Sequence, residues 1–337
     1  MKKPFILLAI ALQIGAVAAI ALHKEWGLRS GQSLVVQTAP IDPRDIFRGD
    51  YVRLDYLFSR LRADQIDPAL RERGLRKGEL VFLAMKTAPD GIAIARQLQL
   101  ERPPFPYLPG RVQKEWPYRG YPDSSPQQRA RGKLESWPLS VDYGIGRFYV
   151  EQGKGLEMEA IRGGRDDYQR PMLVELAVPE SGQALIRGYR WADVSVHTEV
   201  LERPQRDAPD EQASARLRLS LRNETERPFE LMLRPDGCSF DLVPAGQAPS
   251  DADGLLDREA FCAGKPAAGQ RVEPGESLDI DFDFNQPQWR VTLDGEQKPI
   301  GRLPWSYRWR LVYRESPPEG VRGRILSRAF HAGGTID

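Results

Sequence analysis

The chain has 337 residues, enough for about two domains at roughly 100–200 residues each, and each is long enough to bury a core without metals or many covalent staples. The 48 Lys and Arg nearly cancel the 47 Asp and Glu, so overall charge argues for neither a nucleic-acid partner nor an anionic surface. The 28 Pro and 30 Gly are spread along the chain and would interrupt long helices, which favours strands and turns.

Lys2 and Lys3 precede an apolar run from Phe5 to Leu22, broken only by Gln13 and Gly15. At about 1.5 Å per residue the run makes a helix of roughly 27 Å, near the minimum that crosses a bilayer. Positive charge before the run and none within it puts the N-terminus in the cytoplasm. The expectation is a single-pass protein of the cytoplasmic membrane, held through residues 5–22, with its bulk in the periplasm or outside. Two alternatives stand beside a retained anchor. Small-x-small triplets at Ala16-Val17-Ala18 and Ala19-Ile20-Ala21 permit cleavage as a signal peptide, although signal cores usually run only about 7–15 residues. A buried core helix would need an unbroken apolar surface around it. Residues 1–22 are thus an anchor or signal segment, and 23–32 read as a short polar linker.

Ser33 to Thr38 reads as a strand that ends in turn chemistry from Ala39 to Asp45. From Tyr51 the chain alternates, with Tyr51, Arg53 and Asp55 on one face and Val52, Leu54 and Tyr56 on the other. Residues 64–74 suit a short helix or irregular turn. Strands near Leu80–Lys86 and Ile92–Leu100 flank Ala88-Pro89-Asp90-Gly91, whose Asp-Gly pair supports a hairpin. Residues 102–133 break this rhythm with seven Pro and seven Lys or Arg among several aromatics. Long irregular stretches in compact domains often serve function. One reading is a binding lip in which Tyr107, Arg111, Trp116, Tyr118 and Tyr121 meet a glycan or a lipid head group. The plainer reading is a solvated insertion. Order returns with a strand over Ser140–Val150 and a short helix over Gly153–Ile161. Two strands, Met172–Val178 and Ala184–Trp191, then pair across Pro179-Glu180-Ser181-Gly182 and close a first domain over 33–192.

The second half, 193–337, alternates more plainly. Leu217, Leu219 and Leu221 alternate with Arg216, Arg218, Ser220 and Arg222. Phe229, Leu231 and Leu233 do the same, as do Leu278, Ile280 and Phe282 against Asp279, Asp281 and Asp283. Trp305, Tyr307, Trp309, Leu311 and Tyr313 alternate with Ser306, Arg308 and Arg310. One-sided strands separated by turns argue an antiparallel sandwich of immunoglobulin-like type. The charged faces read as solvated sheet surfaces, and Arg and acid rows on neighbouring strands can pair across the sheet. The fold class is therefore mainly β: an N-terminal transmembrane helix, a β-rich barrel-like or mixed-sheet domain, then the sandwich.

Two cysteines, Cys238 and Cys262, are an even count, and in an oxidising compartment that favours pairing over two free thiols. The closed loop would contribute about 3 kcal/mol in the chain-entropy account. No metal and no cofactor is expected. His23, His197 and His331 lack ligand spacing, and there is no calcium loop, phosphate loop or nucleophile elbow. Gly144-Ile145-Gly146 is too short for a dinucleotide fingerprint.

Residues 49–56 read Gly-Asp-Tyr-Val-Arg-Leu-Asp-Tyr. Gly49, Asp50, Tyr51, Leu54 and Tyr56 supply every fixed letter of the GDYXXLXY signature, and over about 30–192 the chain resembles that family. Asp42-Pro43-Arg44-Asp45 and Tyr149-Val150-Glu151-Gln152-Gly153 also look like the family's flanks, while 102–133 looks long for it. The resemblance implies a bacterial, membrane-anchored protein without an established activity, in company with a multi-span membrane protein. The second half weakly resembles the sandwich of the intracellular proteinase inhibitor type at Leu221–Pro228, Cys238–Leu242 and Pro274–Ser277. That likeness bears on fold alone, and Cys238 and the export segment depart from it.

The signature has a structural reading. Gly49 permits a backbone a Cβ would block, Asp50 satisfies turn N–H groups, and Tyr51 and Tyr56 supply rings whose hydroxyls need partners. The sharper reading is a site in which Asp42, Asp45, Asp50 and Glu151 converge as acid and base or around a divalent cation. Two functions follow. One is a membrane-anchored, extracytoplasmic binding or assembly protein, its ligand unnamed by any motif. The other is an envelope hydrolase or transferase using the four carboxylates. Convergence of those carboxylates in one pocket discriminates between them.

Overall fold

A computed structural model describes residues 2–39, 51–61, 65–116, 139–151, 153–164, 166–180, 183–205, 207–245, 259–293, 296–303 and 308–336. The apolar run and the residues after it form one helix, α1 (Lys2–Ser30). Phe5, Leu12, Val17 and Leu22 are all exposed, and among the described residues nothing covers the apolar stretch. A helix apolar all round and bare on every side is not a core helix, so that alternative falls. The expected polar linker is also corrected, because residues 23–30 continue the helix and Gln32 already opens the first strand. Its last turn is docked. A Cβ on Gly31 would stand 2.7 Å from the Gly27 carbonyl oxygen and 2.9 Å from the Val178 nitrogen, so only glycine allows this approach. Arg187 Nη2 donates to the carbonyls of Leu28 at 2.8 Å and Gly31 at 3.1 Å, while its Nη1 pairs with Glu175 at 2.9 Å. It thereby satisfies carbonyls that a helix end leaves without partners.

The first half then runs β1 (Gln32–Gln37), β2 (Tyr51–Arg53), β3 (Arg60–Leu61), α2 (Pro68–Arg73), β4 (Leu80–Thr87), β5 (Ala93–Gln99), β6 (Tyr107–Val112), β7 (Leu139–Asp142), β8 (Arg147–Tyr149), α3 (Lys154–Arg162), β9 (Met172–Val178) and β10 (Leu185–Trp191). These strands form three antiparallel sheets, ordered β1-β9-β10, β3-β7-β6-β4-β5 and β2-β8. Among the described residues no sheet closes on itself, so the barrel-like expectation is not met. The hairpins β4–β5 and β9–β10 lie where the sequence places them. One core fills this half, with Val36, Leu61, Ile66, Leu83, Leu98 and Leu108 among its side chains.

The stretch read as an irregular insertion holds a strand. β6 lies between β4 and β7, and Phe82 faces Pro109 across the ladder. The segment read as one strand over 140–150 is two, β7 and β8, parted by a turn in which Gly144 takes φ 76° and donates to Asp142 Oδ1 at 2.8 Å.

The second half contains β11 (Val194–Glu202), β12 (Arg216–Asn223), β13 (Phe229–Leu233), β14 (Phe240–Pro244), α4 (Glu259–Cys262), β15 (Ala268–Val272), β16 (Ser277–Asp283), β17 (Arg290–Leu293), β18 (Glu296–Pro299), β19 (Trp309–Tyr313), β20 (Phe330–His331) and β21 (Thr335–Ile336). Its sheets are β11-β12-β16, β13-β15, β14-β19-β20-β21 and β17-β18, all antiparallel. Phe240, Phe282, Phe284, Trp289, Trp309 and Phe330 fill a second core. Charged rows pair across the sheet as one reading had it: Arg218 binds both oxygens of Asp281, at 2.8 and 3.0 Å. β19 is not one-sided. Arg310 is buried and donates to the Ser327 carbonyl at 2.9 Å, and Val312 packs with Ala39, Leu57, Val243 and Leu326 on the far face. Trp305 and Tyr307 lie outside the described residues. Cys238 and Cys262 form a disulfide with Cα atoms 5.6 Å apart.

Inside the second half, Asp193, almost fully buried, accepts from Arg322 at 2.8 Å (backbone N), 3.0 Å (Nε) and 2.9 Å (Nη2). The halves are bound to each other. Gln37 Oε1 accepts from the Arg324 backbone at 2.7 Å, and Gln37 Nε2 donates to its carbonyl at 2.8 Å.

Candidate functional site

Beside the signature a polar groove of about 710 Å³ opens between the β2–β8 ribbon and the β3–β7 edge. Its floor follows from the alternation that begins at Tyr51. Val52, Leu54 and Tyr56 turn into the core, which leaves Tyr51, Arg53 and Asp55 to line the groove. β8 pairs with β2 so that Tyr149 faces Tyr51 and Arg147 faces Arg53. The two Tyr rings are 5.9 Å apart, and the Arg147 guanidinium sits 5.6 Å over the Tyr51 ring. Arg60, Gln113, Ser140 and Asp142 form the other wall.

The groove is held from beneath by the buried half of the signature. Leu54 N donates to the Gly146 carbonyl at 3.0 Å. The Tyr56 hydroxyl donates to the buried Ile145 carbonyl at 3.1 Å, and its ring stacks on Phe58 at 5.1 Å. Phe58 in turn meets the edge of Tyr143 at 5.4 Å, whose hydroxyl donates to the Phe58 carbonyl at 3.4 Å. Burial, and then the nearby Asp55 charge, push the Tyr56 hydroxyl far above its ordinary range. Burial alone does the same for Tyr143. Both hydroxyls are therefore fixed donors rather than acids or bases at neutral pH. The two carboxylates of the groove each hold a backbone turn, Asp55 Oδ1 accepting from Tyr56 N at 3.1 Å and Asp142 Oδ1 from Gly144 N.

The profile of the GDYXXLXY protein family matches residues 13–188, more than half the chain and the whole of this groove. The chain belongs to this family. No curated protein and no solved structure matches it. The family match stops before the second half, so nothing there supports the proteinase-inhibitor likeness.

Of the GDYXXLXY signature, Tyr51, Leu54 and Tyr56 frame the groove, while Gly49 and Asp50 lie outside the described residues, as do Asp42 and Asp45. Glu151, the fourth carboxylate, is an exposed side chain 2.8 Å from Lys154, whose ammonium holds it below the usual carboxylate range. It does not line the groove. Among the described residues no cluster of His, Cys, Asp or Glu is placed to hold a metal ion.

Of the five residues read as a binding lip, two are buried, one is exposed and two lie outside the described residues. Tyr107 is buried between the edges of Phe82 and Phe105, at 5.9 and 6.2 Å. Trp116 is buried too and bridges Leu75 through its backbone. Arg111 is exposed and donates to the Gly78 carbonyl at 3.0 Å, which closes the turn before β4. Tyr118 and Tyr121 lie outside the described residues. Sequence reasoning missed Arg53, Arg60, Arg147 and Tyr149 as a set. The available signal was the Arg and Tyr at the solvent positions of two short alternating segments.

Proposed function

We propose that this GDYXXLXY-family protein is a membrane-anchored, extracytoplasmic binding or assembly protein that acts with a multi-span membrane partner. The observation that carries this reading is the helix. Its apolar residues are bare on all sides, yet its last turn is bolted to the first sheet through Arg187. Such a joint suits an anchor that must hold a binding face at a fixed height and angle. We read the N-terminus as cytoplasmic and the remainder as periplasmic, in keeping with Lys2 and Lys3 and with a disulfide, which persists in oxidising compartments. The second half we read as an immunoglobulin-like sandwich, supported by antiparallel sheets around one aromatic-rich core. The groove beside the signature is the binding site in this reading.

The test is cross-linking in native membranes, followed by affinity capture of the full chain and identification of what co-purifies. A multi-span membrane protein should be recovered from cross-linked membranes and be lost when the groove is altered by Tyr149→Ala, an exposed side chain. Recovery of soluble proteins alone would remove the partner from the reading.

A further inference from the structure

Strand β16 is the edge of its sheet, and the bonding of its ladder fixes what its far side offers. Phe284 N donates to the Ala215 carbonyl at 3.3 Å at one end of the β12–β16 ladder, and Asn223 N donates to the Glu276 carbonyl at 3.0 Å at the other. The register between them is unbroken. Antiparallel partners bond at alternate rungs, so the even-numbered residues of β16 bond to β12. The N–H and C=O groups of Ser277, Asp279 and Asp281 therefore point away from β12. Among the described residues no strand takes them up. A slot of about 660 Å³ runs beside them. Leu278 to Asp283 line it in unbroken succession, as a space along a strand's edge does, whereas a space over one face would meet every second residue. Leu233, Ala268 and Gln270 lie across it. Leu278, Ile280 and Leu233 pack on the second core yet are only half-buried. Gln270 faces the buried Leu231 in the β13–β15 ladder and is itself exposed. On the outer face Asp279 and Asp281 are exposed, and Arg218 of β12 reaches them at 3.6 and 2.8 Å. The acid row thus accepts a guanidinium from an adjacent strand.

We propose that the outer edge of β16 takes up an extended segment of another protein in which basic and apolar residues alternate. The segment's main chain bonds to Ser277, Asp279 and Asp281, its basic side chains meet Asp279 and Asp281, and its apolar side chains enter the slot beside Leu278 and Ile280. In strand addition of this kind main-chain bonds supply affinity and alternate side chains supply selectivity. Charges on an exposed edge also deter indiscriminate pairing, and here they select a basic strand over an acidic one. The surface lies in the second half, and the proposal does not depend on the reading given to the groove beside the signature.

The test places the full chain in phosphatidylcholine nanodiscs and follows the anisotropy of a dye-labelled peptide that reproduces residues 216–222, the stretch that already pairs with β16 from the other side. Empty nanodiscs give the background. The peptide should bind, and hydrogen exchange should slow at residues 277–281. Two further peptides carry N-methyl groups at every second backbone nitrogen, in opposite phases. The phase that faces β16 should weaken binding about tenfold or more through lost main-chain bonds, and the other should leave it unchanged. A peptide with Glu in place of each Arg should bind at least about tenfold less tightly, because like charges then face each other. Asp279→Pro removes an outward N–H without breaking a bond to β12, a place where an edge strand accepts proline, and should abolish binding. Gln270→Trp fills the slot from an exposed position and should do the same, which keeps the test open if the proline variant folds poorly. Absence of binding overturns the proposal, as does equal binding of both N-methylated phases or of a scrambled peptide of the same composition. Dimerisation of the full chain that Asp279→Pro abolishes would overturn it too, by making the occupant a second copy of this chain.

Discussion

Tyr56 ties the signature into the core of the first half. Its ring stacks on Phe58 and its hydroxyl donates to the Ile145 carbonyl. Tyr56→Phe keeps the ring and strands that carbonyl, so it should cost about 1–3 kcal/mol in chemical denaturation. Tyr51→Phe, at a half-exposed ring, should cost less. Tyr56 also sets a pH limit. Its hydroxyl, that of Tyr143 and that of Tyr313 all titrate above the ordinary 10.0 in the fold, through burial in each case, with Tyr313 pushed up to about 12. The fold therefore prefers the neutral phenols. The stabilisation is complete below the unfolded value of 10.0 and is lost as pH climbs toward the folded values. Melting temperature should fall progressively above that point, and the combined Tyr56→Phe, Tyr143→Phe protein should show a shallower fall. An equal slope in both proteins would mean that other groups set the alkaline limit. At this scale the alternation of Val52, Leu54 and Tyr56 was legible, because period two needs only the local chain. The facing of Arg53 by Arg147 was not, because a register between segments over ninety positions apart depends on the turn at Gly144 and on everything folded between them.

The elements repeat that lesson. Hairpins β4–β5 and β9–β10 were legible because turn residues and flanking alternation are adjacent in sequence. β6 was not. Pro103, Pro104 and Pro106 surround its start and Pro109 lies inside it, which by local rules argues against a strand with neighbours on both sides. It is tolerated because the surrounding core fixes the segment. Tyr107, Leu108 and Val112 are all buried, and Gly110 lets β6 close on its neighbour. A Cβ at Gly110 would stand 2.5 Å from Val141 Cγ1 and 2.7 Å from Tyr143 Cδ1. Gly110→Ala should therefore lower stability by about 1–3 kcal/mol, as overpacking does, and should loosen the Tyr143 wall of the groove. Denaturant unfolding checks the first. Faster hydrogen exchange at 139–145 checks the second. An alanine accommodated without loss would mean that β6 and β7 have room to part. The polar linker failed for the opposite reason. Its residues look solvated one by one, but Gly27 and Gly31 let the helix lie against β9 and β10, and Arg187 comes from 156 positions away to meet Gly31.

For the whole molecule, the question is whether the helix and the two halves act as one body at the membrane. The apolar stretch, the docked last turn and the Gln37–Arg324 pair make a continuous chain of fixed joints from the helix to the second half. Cleavage after Ala18 or Ala21 would sever the first of these from the rest while leaving the Arg187 joint intact on a short stub. The apolar run is longer than a usual signal core, and Trp26 lies exposed in the last turns, where an aromatic ring suits the membrane interface. We expect mass analysis of the mature protein to find residues 2–22 still attached, and carbonate washing to leave it in the membrane fraction. A reporter that works only outside the cytoplasm, fused after the last residue, should be active. Arg187→Ala separates anchoring from rigidity. It removes a donor from two carbonyls of the helix end and the partner of Glu175, so it should leave membrane retention intact. Proteolysis at 27–32 should nevertheless rise, and cross-linking to the proposed membrane partner should fall. A mature N-terminus at Ala19 or Leu22, with the protein released by carbonate, would show that the helix is a leader and that the joint serves only the fold. Retention together with unchanged proteolysis and cross-linking in Arg187→Ala would show instead that the anchor holds without setting the orientation of what it carries.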